Sequence, residues 1–261
     1  MPEEIPSAVN AELLSTIKEL QAFKSLDEFV LAGGTSLAIR FNHRYSYDID
    51  LFTNRIIGLE GFKKIEEELI QFYRGALIAR EIINEESGDQ FCFLRAFISM
   101  KSGNAIKIEI LQNMAFMYPV EILDTIRILS IQDIALFKLM SASNRKARKD
   151  VYDLDIITER IALSELLENL QAKHEKYCRE EHKCLFDLDK EVSPNANLDL
   201  LLEFDNHDYL KQDSRPNHST DAIDTVPGSK DWQSAKSSWR RKVRNLMREK
   251  GLPIPPVRPI N

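Results

Sequence analysis

The spacing of apolar and polar positions divides the chain into two textures. Residues 8–23 carry Val9, Leu13, Ile17 and Leu20 at the interval of a helix buried along one side. Residues 28–32 form a short apolar run that ends at Gly33-Gly34-Thr35, and a helix is predicted to follow over 36–41. Residues 47–53 alternate as a strand does, so Asp48 and Asp50 share one face while Ile49 and Leu51 occupy the other. A charged helix over 58–73 precedes strand-like runs at 77–84, 91–100 and 105–111. The turn Lys101-Ser102-Gly103-Asn104 joins the last two as a hairpin.

From Ser130 the period is helical, with Ile131, Ile134, Ala135, Lys138 and Leu139 in one segment, followed by segments at 151–161 and 164–178. From about residue 212 the chain is polar and aperiodic. Beyond Lys230, a short basic helix carries Lys236, Arg240, Arg241, Lys242 and Arg244 around Trp232 and Trp239. The pattern predicts an α/β (α+β) protein with a mixed sheet and flanking helices. Its expected divisions are a catalytic unit over 1–120, a helical domain over 121–211, and a polar linker with a basic tail over 212–261.

Composition narrows the class. With 43% hydrophobic and 29% charged residues, the 261-residue chain has material for a core and no run long enough to cross a bilayer. A net charge of -6 argues against coating nucleic acid by bulk charge and leaves a local basic face as the route to RNA. Cys92, Cys178 and Cys184 are odd in number and scattered, and the N-terminus does not read as a leader, so cytoplasm is the expected compartment.

The chemistry concentrates in residues 31–52. Two glycines let backbone approach a ligand, and Thr35 and Ser36 add hydroxyls where a helix begins, an arrangement that suits phosphate. Asp48 and Asp50 on one face repel each other unless a cation lies between them, and Mg²⁺ takes such oxygen ligands. Two-metal transfer needs a third acid, and Glu109 on the strand Ile106-Lys107-Ile108-Glu109-Ile110 supplies one; the alternative is that Lys107 and Glu109 line a solvated face. Lys138, Arg145, Lys146, Arg148 and Lys149 form a basic run that either binds phosphate or is a solvated face.

These motifs together resemble the DNA-polymerase-β-like nucleotidyltransferases. Gly33-Gly34-Thr35-Ser36-Leu37, His43-Arg44-x-Ser46 and Asp48-Ile49-Asp50-Leu51-Phe52 are more closely similar to the AbiEii family of nucleotidyltransferase toxins. Leu129-Ser130, Asp133, Lys138-Leu139, Arg145, Arg148 and Lys149-Asp150-x-x-Asp153-Leu154 match that family's later signature, and the likeness covers about residues 25–160. The resemblance implies that Asp48, Asp50 and Glu109 hold two Mg²⁺ ions, with Glu109 standing where Asp is common. It implies a triphosphate contacted by Gly33, Gly34, Thr35, Ser36, Arg44 and Ser46. Lys138, a catalytic cation, and Arg145, Arg148 and Lys149 would neutralise phosphate, with Asp150 orienting one of them. The implied substrates are an NTP and an RNA acceptor, the tRNA 3′ end, with an antitoxin protein as partner.

Other patterns weigh less. His174, Cys178 and His182 recur every four residues and read better as a polar helix face than as a zinc site. His43 reads as structural or phosphate-adjacent. The basic tail with its two indoles either grips RNA by phosphate contact and stacking or packs on the protein itself. Two readings compete with RNA modification: a non-catalytic binding module on the same fold, and nucleotidyl transfer to a small molecule or protein.

Overall fold

The structure, a computed structural model, describes residues 6–84, 88–204, 216 and 221–256. Residues 212–215 and 217–220 of the polar segment expected from residue 212 therefore lie outside the described residues. The strands are β1 (Val30–Leu31), β2 (Ile49–Phe52), β3 (Leu77–Ile83), β4 (Phe93–Ser99), β5 (Ala105–Leu111), β6 (Glu121–Leu123) and β7 (Ile126–Ile128). The helices are α1 (Ala11–Gln21), α2 (Gly33–Phe41), α3 (Gly58–Tyr73), α4 (Ile131–Asn144), α5 (Arg148–Ile157), α6 (Leu163–Lys176) and α7 (Trp232–Glu249).

One mixed sheet of seven strands runs in the order β3-β4-β5-β2-β1-β7-β6. β2 pairs parallel with β5 and antiparallel with β1, and β1 pairs parallel with β7. Strand alternation gives this sheet two different faces. Leu31, Ile49, Leu51, Ile108 and Ile110 pack beneath it with α1 and α3 residues such as Leu13, Ile17, Phe62 and Ile65. Phe52, Phe93 and Leu111 lie on the other face with Ile134, Leu139, Val151, Leu154 and Leu166 from α4, α5 and α6.

The apolar alternation explains the agreement between expected and observed strands, which is residue for residue in β5. Helix α2 begins at Gly33, three residues before the expected start. The β6–β7 hairpin was not expected from the pattern and carries the sheet past residue 120. Its turn holds Asp124 and Thr125 at φ of 44° and 69°. Two successive positive φ values normally call for Asn or Gly, so a β-branched Thr there conceals the turn from a sequence reading.

Of the two readings of the basic tail, helix α7 shows packing on the protein itself. Ala235, Trp239, Val243, Leu246 and Met247 recur at helical spacing and are buried. The Trp239 indole is fully enclosed and its Nε1–H donates to the Leu201 carbonyl at 2.8 Å. Trp232 packs edge-on against Phe204, with ring centroids 5.8 Å apart. Lys242 Nζ reaches the buried Asp155 at 2.7 Å, and Lys230 Nζ reaches the same carboxylate at 2.7 Å. The Trp239 indole is not offered to a base, Trp232 is half-buried, and part of the basic charge is paired inside the protein.

Trp239→Ala is accordingly expected to lower unfolding free energy by about 3–5 kcal/mol in urea denaturation, the loss typical of a fully buried indole. A change below about 1 kcal/mol would show that α7 is peripheral to the core.

Candidate active site

The sheet face turned toward α4 and α6 carries a row of charges where its neighbours are apolar. In register, Asp50 of β2 lies opposite Glu109 of β5, and Glu109 lies opposite Arg95 of β4. Cross-strand neighbours on one face are close enough to interact directly. Arg95 donates to Glu109 Oε1 at 2.9 Å, and Lys107 Nζ reaches Oε2 at 3.1 Å. Burial, then the Glu109 charge, with a further push from Asp48, raises the Asp50 carboxyl to about 6, while Lys107 and Lys138 act against the rise.

Gly33 makes this row possible. It has φ of +63°, and a Cβ there would lie 1.8 Å from Asp50 Oδ2. At Gly34 a Cβ would lie 2.3 Å from the Arg44 guanidinium. The glycine pair therefore serves side-chain packing as well as the backbone turn. Ala32, Gly33 and Gly34 also form the wall where α2 begins, so first-turn amides open onto the same cavity as Asp48, Asp50 and Glu109. Lys138 and Arg145 from the C-terminal half line that cavity too.

Behind the wall lies a buried ion cluster centred on Asp153. Arg44 grips it through Nε at 2.6 Å and Nη2 at 2.8 Å, His43 Nε2 lies at 2.9 Å, and Lys138 Nζ lies at 2.9 Å. Lys138 also meets Asp150 Oδ1 at 2.6 Å. Burial alone would raise the Asp153 carboxyl, but Arg44 and Lys138 outweigh it and hold the group well below the usual carboxylate range. Burial lowers His43, whose ring stacks on Tyr152 at 5.6 Å, so this histidine is a structural member of the cluster.

The structure redistributes the residues expected at the phosphate. Thr35 Oγ1 shares a hydrogen bond with Ser46 Oγ at 2.8 Å and donates to the Asp48 carbonyl. Ser36 Oγ donates to the Gly33 carbonyl at 2.7 Å. These buried hydroxyls shape the turn. Arg44 is held by Asp153 at the back of the wall. Arg148 faces Asp221 at 3.9 Å, and the Lys149 amide donates to the same carboxylate at 3.3 Å; both lie off the cavity. Asp150 is buried and holds Lys138, with Arg145 Nη2 at 3.6 Å. Sequence reading did not single out Arg95, because a cation opposite an acid becomes visible only when strands are paired, whereas Asp153, open in the sequence between helix capping and ion pairing, is an ion-pair residue.

The charge row and cavity also decide what a metal would meet. Asp48 and Asp50 present oxygen donors of the kind Mg²⁺ takes. Among the described residues no group of three or more His, Cys, Asp or Glu is arranged to hold a metal ion, because both Glu109 oxygens are already carried by cations. His174 and His182 line the cavity, Cys178 is exposed, and α6 ends at Lys176, so the three do not share the one helix face expected from their spacing.

A family model described as nucleotidyl transferase AbiEii toxin, type IV TA system, matches residues 17–245. The chain belongs to the AbiEii family of nucleotidyltransferase toxins. The match extends into α7, well past the residues whose motifs suggested it. Among solved structures, MenT4, a nucleotidyltransferase toxin of Mycobacterium tuberculosis H37Rv, is 16% identical, with 92% of this chain and 94% of that chain covered and a TM-score of 0.44. An aminoglycoside 6-adenyltransferase from Bacillus subtilis is 13% identical, with 94% and 92% covered and a TM-score of 0.24. No curated protein sequence matches.

Asp153→Ala should destabilise the fold by about 3–5 kcal/mol, since it leaves the buried Arg44 and Lys138 charges without their shared partner. Asp48→Ala, whose carboxylate faces the cavity, should cost less than about 1 kcal/mol. Urea unfolding of the two variants checks the contrast, and equal stabilities would contradict the role given to Asp153.

Proposed function

We propose that the protein transfers a nucleoside monophosphate from an NTP to an acceptor hydroxyl, with Mg²⁺ held by Asp48 and Asp50. The observation that carries this reading is the convergence of the Gly33–Gly34 turn, the Asp48 and Asp50 carboxylates, Lys138 and Arg145 on one cavity. The α2 amides and the two cations receive the triphosphate, since they offer donors and positive charge where the acids do not. Asp150 and Asp153 keep the Lys138 ammonium charged and fixed, as burial lowers its proton affinity and these two carboxylates more than restore it. When bound, Mg²⁺ supplies positive charge at the reacting phosphorus and acidifies the acceptor hydroxyl.

Glu109 has a second part in this scheme. Held by Arg95 and Lys107, it adds negative potential at Asp50, which favours a cation there. Glu109 would serve as the third acid, and help hold a second Mg²⁺, only if Lys107 or Arg95 released it. The acceptor oxygen bonds to the α-phosphorus and pyrophosphate leaves, so catalysis comes from positioning and electrostatics.

The acceptor in this proposal is RNA, at the tRNA 3′ end, and the setting is cytoplasmic, with an antitoxin limiting the damage. Among the described residues no helix is long and apolar enough to cross a membrane. Membership of a toxin family supports the antitoxin; the acceptor follows from the resemblance in the catalytic motifs.

Incubation of purified protein with Mg²⁺, each α-labelled NTP in turn and total tRNA should label tRNA. Asp48→Ala and Asp50→Ala should each reduce labelling by at least about 100-fold while the thermal melt stays cooperative. Near-normal labelling in either variant would overturn the metal assignment, and label on protein or small molecules alone would move the acceptor. A second contrast separates the cations. Arg145→Ala is expected to raise the KM for NTP by roughly 10-fold. Arg148→Ala, off the cavity beside Asp221, should leave it within about twofold.

A further inference from the structure

The cavity continues beyond the charged row into a pocket walled by Met114, Leu136, Leu170 and Phe186, and Lys173 stands in that apolar wall. Helix α6 buries Leu163, Leu166, Leu167 and Leu170 at helical spacing, and the next position on the stripe is this lysine. Its side chain is more than nine-tenths buried. The ammonium sits over the Phe137 ring, 3.6 Å from its centroid. Among the described residues the structure gives it no hydrogen bond and no ion pair. The nearby carboxylates are committed elsewhere. Asp133 accepts from the Met117 and Tyr118 amides at 2.8 and 2.9 Å, and Asp187 accepts from the Cys184 amide at 2.7 Å.

An ammonium on a leucine stripe, with three donors and no protein acceptor among the described residues, opens onto the cavity, where a leucine or methionine would fill the wall without the cost of desolvating a charge. Burial lowers the group to about 8, against the opposing pull of Asp133, Cys184 and Asp187, so at neutral pH it remains mostly charged. The site thus combines apolar walls, suited to an aromatic ring, with one strong donor in want of an acceptor.

We infer that Lys173 is a specificity-determining residue that donates to a ring carbonyl oxygen of the nucleobase, so that GTP, CTP or UTP is favoured over ATP. This rests on the nucleotide reading of the cavity, with phosphates at the Gly33 and Asp50 end. Guanine, cytosine and uracil each carry a ring carbonyl. Adenine carries none and places an amino donor where guanine has its oxygen, so at that edge it offers the ammonium only ring nitrogens beside a group of like polarity. A site built to donate to a base oxygen disfavours the base that lacks it, because the buried donor is then left unpaired.

Calorimetric titration of the full chain with Mg²⁺ and non-hydrolysable analogues of ATP, GTP, CTP and UTP tests this. At least one carbonyl-bearing nucleotide should bind the native protein more tightly than ATP. Lys173→Met should weaken that nucleotide by roughly 10- to 100-fold and leave ATP nearly unchanged. Equal loss for all four would place Lys173 on phosphate or sugar and overturn the inference, as would a variant that keeps the native preference. Failure of the native protein to bind any of the four would overturn the nucleotide reading itself, and equal binding of all four would overturn this inference alone. A measurement on the native protein covers the case of a misfolded variant. The favoured nucleotide should protect Lys173 from reductive methylation, read by peptide mass spectrometry, and ATP at the same concentration should protect it less. Equal protection by both overturns the inference.

Discussion

Most of the candidate site depends on one buried carboxylate. Asp153 gathers His43 and Arg44 from one stretch of chain and Lys138 from another, each within hydrogen-bond reach. A charge so far from water is tolerated only when its partners are fixed and its oxygens filled, and the same condition fixes the partners in return. Arg44 is thereby pressed against Gly34, and Lys138 is held where it opens on the cavity. Of its members only Lys138 also lines the cavity. It sets the distance between the glycine turn of the sheet half and the cationic helix of the other half.

Helix α5 transmits that constraint to the C-terminal end. Asp153 and Asp155 are two residues apart, so they leave the helix on nearly opposite sides. One serves the site; the other receives Lys230 and Lys242 from the α7 region. With Trp239 seated behind it, α7 braces α5 from outside, and a segment that reads in the sequence as a loose basic tail becomes part of the support for Asp153. A family match reaching residue 245 is consistent with that architecture, in which the catalytic motifs and the brace form one packed unit.

The charge row on the sheet shows the same economy on the substrate side. Asp50, Glu109 and Arg95 are adjacent across three strands, so acid, acid and cation alternate with no apolar residue between them. Lys107 adds a second cation to Glu109. The acids can stand this close because cations share the load, and Asp50, least compensated, takes up the strain as a raised proton affinity.

The sequence by itself determined the elements whose period is clean. The helix at 58–73, the strand at 105–111, the common face of Asp48 and Asp50, and the glycine turn before them follow from local spacing, and the motif resemblance follows from residue identity in register. Local spacing raised Thr35, Ser36 and Arg148 as phosphate contacts and the resemblance added Arg44 and Ser46; in the tertiary structure each has a protein partner. A hydroxyl or guanidinium binds whichever partner lies nearest in space, and for Arg44 that partner is Asp153, 109 positions away. The β6–β7 turn escaped because its residues run against ordinary turn preferences. Lys173 is the closing instance: the leucine stripe before it predicts burial, but whether a buried cation has a partner is a property of what folds over it, and only the packing of α6 against the cavity decides that.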